Sequence, residues 1–166
     1  SSDKKSYVLK PFFETHHTRY ITYFNSKYPE LDKSPYKNST VDKINLGLQQ
    51  SEIEHQYKNN GSKSSFSSEF NVAGRTLETG NSITYTLKAD AKRYCKLAVA
   101  FIPKENASIC ITVNNSSIKV AAFPEKENQG ITWKELELPA GAENVTVTLT
   151  SENSPFITEL RTFVKV

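Results

Sequence analysis

Ser82 to Lys88 reads Ser-Ile-Thr-Tyr-Thr-Leu-Lys, an unbroken alternation that puts Ile83, Tyr85 and Leu87 on one face. Period-2 alternation is the mark of a half-buried strand. Lys96 to Ile102 is apolar on both faces, which predicts a central, covered strand. Ile109, Ile111 and Val113 predict a one-sided strand, and Ile118 to Phe123 the strand that returns after an Asn-Asn-Ser-Ser turn. Thr132 to Leu138, the alternating Val145, Val147 and Leu149, and Phe156 to Val166 supply three more. These seven or so short strands are separated by Asn, Pro, Gly and Ser, with no strongly helical segment between them. That pattern predicts an all-β fold, an antiparallel β-sandwich or jelly roll.

The N-terminal third follows a different rhythm. Arg19 to Phe24 has strand character, whereas 25–39, with Pro29 and Pro35, reads as a linker. Between Thr40 and Lys58 the pattern is ambiguous: Val41, Ile44 and Leu48 fit a helical stripe that Gly47 interrupts. Asn59 to Ser68 reads as a polar loop. The expected organisation is therefore a strand segment over 1–24, a linker over 25–39 and a β-sandwich over 40–166.

Composition narrows the function classes. The 166 residues are 37% hydrophobic and carry a net charge of +3. Basic residues are scattered, and no basic amphipathic helix is visible, so neither nucleic acid nor a membrane is an expected partner. The polar start, Ser-Ser-Asp-Lys-Lys-Ser, lacks the apolar core of a signal peptide and reads as a cut in a longer chain. Cys95 and Cys110 lack metal-ligand spacing. They read as two buried thiols, with a disulfide as the alternative; a simple hairpin through Pro103 to Ala107 would not bring them together. No metal site and no cofactor are expected. The Asn-x-Ser/Thr triplets that begin at Asn38, Asn60, Asn106, Asn114, Asn115 and Asn144 are what an Asn-, Ser- and Thr-rich chain produces by chance.

Two segments carry a resemblance. Pro11-Phe12-Phe13-Glu14-Thr15-His16-His17-Thr18-Arg19-Tyr20, with Ile-Thr-Tyr-Phe after it, resembles the run P-F-Y-x-x-H-x-x-R-Y-x-x-Y-W of glycoside hydrolase families 127 and 146. Thr40 to His55 resembles their T-V-D-x-V-x-P-G-E-Q-Q-P-E-x-D-H, which opens the final β-sandwich. Leu46, Leu48 and Phe24 depart from the pattern, replacing its proline, an acidic residue and the tryptophan. Those families act on β-L-arabinofuranosides through an (α/α)6 barrel with a zinc-bound cysteine nucleophile, none of which is in this chain. The resemblance implies a non-catalytic accessory module of galactose-binding-domain-like type, periplasmic or secreted, that packs against a catalytic barrel or forms a homodimer, and it makes the strand segment over 1–24 the end of a preceding β-sandwich. It places the family histidine on His16 and makes His16, Arg19, Tyr20, Gln49, Gln50 and Glu52 candidates for interdomain contact. Gln49, Gln50 and Glu52 read equally as groups that satisfy loop backbone.

The competing expectation is a carbohydrate-binding module for arabinose-containing plant glycans. Trp133, the only tryptophan, shares a strand face with Glu135 and Glu137, so period-2 logic sets it on the polar side, where an aromatic ring makes a sugar platform. Tyr57, Arg75 and His55 are its expected companions; the plainer reading is a Trp folded over the sandwich rim. Glu135 and Glu137 are near enough for a glycosidase pair, but carboxylates at i and i+2 are usually a strand's solvated face, and no catalytic residue is assigned.

Overall fold

The computed structural model describes residues 32, 34–120 and 130–165. The chain divides into two units, Ser1–Lys33 and Ser34–Val166, and every described element belongs to the second. In chain order these elements are β1 (Thr40–Asn45), α1 (Gln49–Glu54), β2 (Lys58–Asn60), β3 (Lys63–Ser67), β4 (Val72–Thr76) and β5 (Ser82–Lys88). They continue with β6 (Cys95–Ile102), β7 (Ser108–Val113), β8 (Ser116–Val120), β9 (Thr132–Glu137), β10 (Asn144–Asn153) and β11 (Phe156–Val164).

The strands form two antiparallel sheets. One has the order β3-β4-β11-β6-β9, with β1 also paired to β11; the other has the order β2-β5-β10-β7-β8. β6 occupies one edge of β11 throughout, so β4, paired at Ile157, and β1, paired from Glu159 to Phe163, share the opposite edge. The fold is an all-β antiparallel sandwich of the jelly-roll kind.

Register explains why these sequences form these layers. Ile83, Tyr85 and Leu87 of β5 lie opposite Leu149, Val147 and Val145 of β10, and Leu149 and Val147 lie opposite Ile111 and Val113 of β7. The alternation seen in each strand thus assembles into one apolar inner face. Leu97, Val99 and Phe101 of β6, with Ile157 and Leu160 of β11, supply the facing layer, and all are essentially inaccessible to solvent. β6 is buried on its second face as well: Ala98 and Ala100 are flanked there by the larger side chains of their register partners, Arg161 and Glu135, and Glu159 and Trp133.

The structure departs from expectation at several points. The stretch read as a polar loop, Asn59 to Ser68, holds most of β2 and all of β3. Both are exposed edge strands that supply backbone hydrogen bonds and few apolar contacts, so their composition stays polar. The ambiguous Thr40–Lys58 stripe resolves into a strand and a six-residue helix, with Leu48 exposed at the junction. Pro103 to Ala107 is not a hairpin loop: β6 and β7 belong to different sheets. Cys95 and Cys110 are free thiols, the first buried and the second half-buried. Of the linker expected over 25–39, residues 34–39 fall in the unit Ser34–Val166. Arg19 to Phe24 and residues 121–123 lie outside the described residues.

Candidate functional site

The motif from Thr40 to His55 folds around its own polar side chains. β1 ends at a tight turn in which Gly47 adopts φ +79°, and a Cβ there would sit 2.7 Å from the Gly74 carbonyl oxygen. Ser51 Oγ accepts the Asn45 N–H and Glu52 Oε1 accepts the Gly47 N–H, both at 3.0 Å. His55 sets one ring nitrogen 3.1 Å from Asp42 and the other 2.5 Å from the Ser51 carbonyl. Asp42 also accepts the Lys88 N–H of β5 at 2.8 Å, which ties β1 to the opposite sheet.

Glu52 is the hub. Arg75 of β4 donates to it from Nε at 2.5 Å and from Nη2 at 2.8 Å, and Tyr85 donates at 2.7 Å. Arg75 further donates to Ser62 and to the Tyr57 hydroxyl and lies over the Tyr57 ring. Burial pushes the Glu52 carboxyl up, but the hydrogen bonds from Arg75, Gly47 and Tyr85 together hold it below the usual carboxylate range. The hydrogen bond to Glu52 raises Arg75, while burial and then Glu52 raise Tyr85. A cleft of about 420 Å³ opens beside this network, lined by Tyr57, Arg75, Ser64 and the α1 residues Gln49 and Glu52. The charges inside it are already paired with each other. Glu52 is buried here, whereas Gln49 and Gln50 stand exposed, Gln50 donating to Glu54 at 2.6 Å.

Trp133 lies elsewhere. It faces outward from the six-stranded sheet, in register with Ala100 of β6, which pairs in turn with Glu159 of β11. Tyr36, from the segment before β1, meets it edge-on at 5.2 Å and stacks on Phe163 at 4.2 Å. Arg161 is buried beneath them: it donates to Glu159 at 2.5 Å and to Thr40 at 2.8 Å, and its guanidinium lies 5.8 Å from the Trp133 ring. The Tyr36 hydroxyl donates to Glu135, and burial followed by that carboxylate pushes it up to about 12. Lys96 bridges Glu135 and Glu137 at 3.2 and 3.0 Å, so these two carboxylates are the paired, solvated face of β9.

A groove of about 390 Å³ begins at Trp133 and crosses this outer face. Trp133 and Ile131 line one part of it, Phe66 and Leu48 another, and Ala73, Val72, Ala100 and Thr158 lie between. Leu48, Phe66 and Ile131 are 49%, 61% and 40% exposed. Asn45, Asn71 and Glu159 add polar atoms. Thr158, at the register shift between Ile157 and Glu159, is among the lining residues but is itself buried. The Leu46 N–H donates to its carbonyl at 2.9 Å, while its buried Oγ1 has no hydrogen-bond partner among the described residues.

The four residues expected to gather around a sugar are therefore split. Tyr57 and Arg75 meet, His55 turns to Asp42, and Trp133 lines a groove that shares no lining residue with their cleft. His16, Arg19 and Tyr20 lie outside the described residues. The groove's other residues were missed at the sequence level, although Phe66, a lone aromatic in a Ser-rich stretch, was a usable signal. Among the described residues no three His, Cys, Asp or Glu side chains cluster to hold a metal ion, and no helix is long and apolar enough to cross a membrane.

This sandwich is the fold of several carbohydrate-binding modules and of sandwich domains within glycoside hydrolases. The family 35 carbohydrate-binding module of Clostridium thermocellum superimposes with a TM-score of 0.56 at 10% identity, over 75% of this chain and 100% of the module. The family 6 module of Cellvibrio mixtus lichenase 5A, solved with cellotriose, gives 0.50 at 9% identity over 76% and 99%. The exo-β-1,3-galactanase of Phanerochaete chrysosporium gives 0.54 at 13% identity over 75% of this chain, which spans only 29% of the galactanase. At the level of sequence, residues 36–163 match a family of unknown function, DUF6805, and the chain belongs to it. No curated protein matches the sequence.

Proposed function

We propose that this chain is a non-catalytic carbohydrate-binding module whose ligand lies in the groove beside Trp133. The observation that carries this reading is the pairing of a half-exposed indole with amide and carboxylate side chains along one open groove. An aromatic face takes the C–H side of a sugar ring while side-chain amides and carboxylates meet its hydroxyls. The solved modules with this fold, one of them bound to cellotriose, support the reading. Arg75, Tyr57 and Glu52 are then scaffold rather than contacts, and so is His55.

The resemblance to glycoside hydrolase families 127 and 146 supports a finer version, in which the module belongs to a larger enzyme acting on arabinose-containing plant glycans. A second reading, packing against a catalytic barrel or a second copy, is favoured by the exposure of Leu48, Phe66 and Ile131 along one groove. Titration with arabinotriose, β-1,3-galactotriose and cellotriose, followed by the emission of the single tryptophan, separates the two. The carbohydrate reading expects saturable binding with a shift in Trp133 emission. It also expects a loss of about tenfold or more in affinity in Trp133→Ala, whose fold is checked by its melting curve. A flat response to all three sugars overturns it in favour of packing.

A further inference from the structure

Among the described residues five large hydrophobic side chains are exposed: Leu48, Ile53, Phe66, Tyr94 and Ile131. Exposed apolar residues scattered singly are ordinary on a protein surface. Here Leu48, Phe66 and Ile131 line one groove, so they form a patch rather than a scatter. Phe66 is the most exposed of the five, at 61%. It stands in β3, Lys-Ser-Ser-Phe-Ser, whose place at the sheet edge is held by pairing with β4. Backbone pairing asks for no aromatic ring, and an apolar side chain on an edge strand is an aggregation hazard.

The course of the groove follows from the strand order. Its lining draws on every strand of the path β3-β4-β11-β6-β9, through Phe66, Ala73, Glu159, Ala100 and Trp133 in turn. The groove therefore runs across the strands. Neighbouring strands are about 4.8 Å apart, so a course over five of them is longer than a single sugar ring. The two aromatic residues come from the first and last strands of that path, and between them Ala73 and Ala100 contribute no more than methyl groups. Phe66 and Trp133 are also carried by separate elements. β1 takes the edge of β11 from Glu159 onward, so the β3–β4 hairpin meets β11 at the pair Ile157–Arg75, and Val72 and Ala73 lie beyond that pair.

Resting on the carbohydrate reading above, we infer that Phe66 is a second ligand-contacting residue and that the groove takes an extended chain of linked sugars rather than a single terminal one. One sugar stacks on Trp133, and another further along the same chain lays its C–H face on Phe66. The second contact is then made within a chain already held by the first, which makes affinity depend on chain length.

The test is a titration of wild type, Phe66→Ala and Phe66→Tyr with cello-, β-1,3-galacto- and arabino-oligosaccharides of two to six residues, each variant checked by its melting curve. For the series that binds, wild-type affinity is expected to rise about tenfold or more from the disaccharide to the longest chain. In Phe66→Ala that rise is expected to shrink roughly 3- to 10-fold, the worth of one aromatic contact, with the melting point kept because the ring is exposed. Phe66→Tyr, which keeps a ring, restores the length dependence. A melting point several degrees lower in Phe66→Ala shows that the ring serves the fold and overturns the inference. Wild type that binds the disaccharide as tightly as the longest chain overturns it without any variant. An equal loss at every length in Phe66→Ala puts Phe66 against the sugar that already meets Trp133 and overturns the extended chain. An undiminished length dependence in Phe66→Ala overturns the role of Phe66, and all four of these outcomes leave the carbohydrate reading standing. Failure of wild type to bind any of the three series at any length removes both.

Discussion

Glu52 and Arg75 form two parallel hydrogen bonds inside the sandwich, and the carboxylate takes two further donors from Tyr85 and the Gly47 N–H. A buried pair of this kind adds little stability relative to a well-packed apolar core, yet removing one partner strands the other. Glu52→Gln is therefore expected to destabilise the fold by about 3–5 kcal/mol, read from urea unfolding. The same group predicts an acid limb. Its native value lies below its ordinary 4.5, so the stability it contributes is complete above pH 4.5. That contribution declines as pH falls from 4.5 to the native value, because there the unfolded chain binds the proton first. Urea midpoints measured across this window should drop more steeply for wild type than for Glu52→Gln. A parallel decline would assign the acid limb to other carboxylates.

At the scale of elements, the β1–α1 connection depends on the absence of a side chain. Gly47 combines a left-handed φ with a backbone approach to Gly74 that leaves no room for Cβ. Gly47→Ala is expected to cost roughly 1–3 kcal/mol from the dihedral alone, with steric displacement of β4 in addition. Calorimetry would reveal it; an unchanged midpoint would mean that the turn relaxes freely. This connection also shows what the sequence could convey. Strands β5, β6, β7, β10 and β11 were legible because each carries its own apolar alternation or an apolar run. β2, β3 and β4 were not: the first two contribute backbone pairing without an apolar stripe, and β4, Val-Ala-Gly-Arg-Thr, sets its Arg against a glutamate distant in sequence. The groove was half legible. Trp133 could be assigned to an outer face from the parity of β9, but Thr158 depends on a bulge, and Phe66 and Asn71 on the placement of strands that carry no pattern.

For the whole molecule, the core runs from Ile44 to Leu160, but the outer face of the six-stranded sheet needs residues ahead of it. Tyr36 covers Trp133 and Phe163. We expect a chain starting at Ser34 to unfold in one transition. A chain starting at Thr40 should melt several degrees lower, with red-shifted tryptophan emission, and equal midpoints would make 34–39 a plain linker. Thiol reagents should label Cys110 in the native protein and Cys95 only on unfolding, read by mass spectrometry, since Cys95 is buried and Cys110 is half-buried.

Among the described strands, the one with the most neighbours is also the last in order. β11 joins β1, β4 and β6, so without it the six-stranded sheet has no centre. A ribosome adds roughly 5–20 residues per second, and domains generally fold as units once they have been made. The nascent chain must therefore hold β6, apolar on both faces, with one edge open until Phe156–Val164 has left the exit tunnel. A message truncated a few codons before Phe156 would release a polypeptide with nearly all of its core residues and no means of closing the sheet, a product suited to aggregation and to capture by chaperones rather than to partial function.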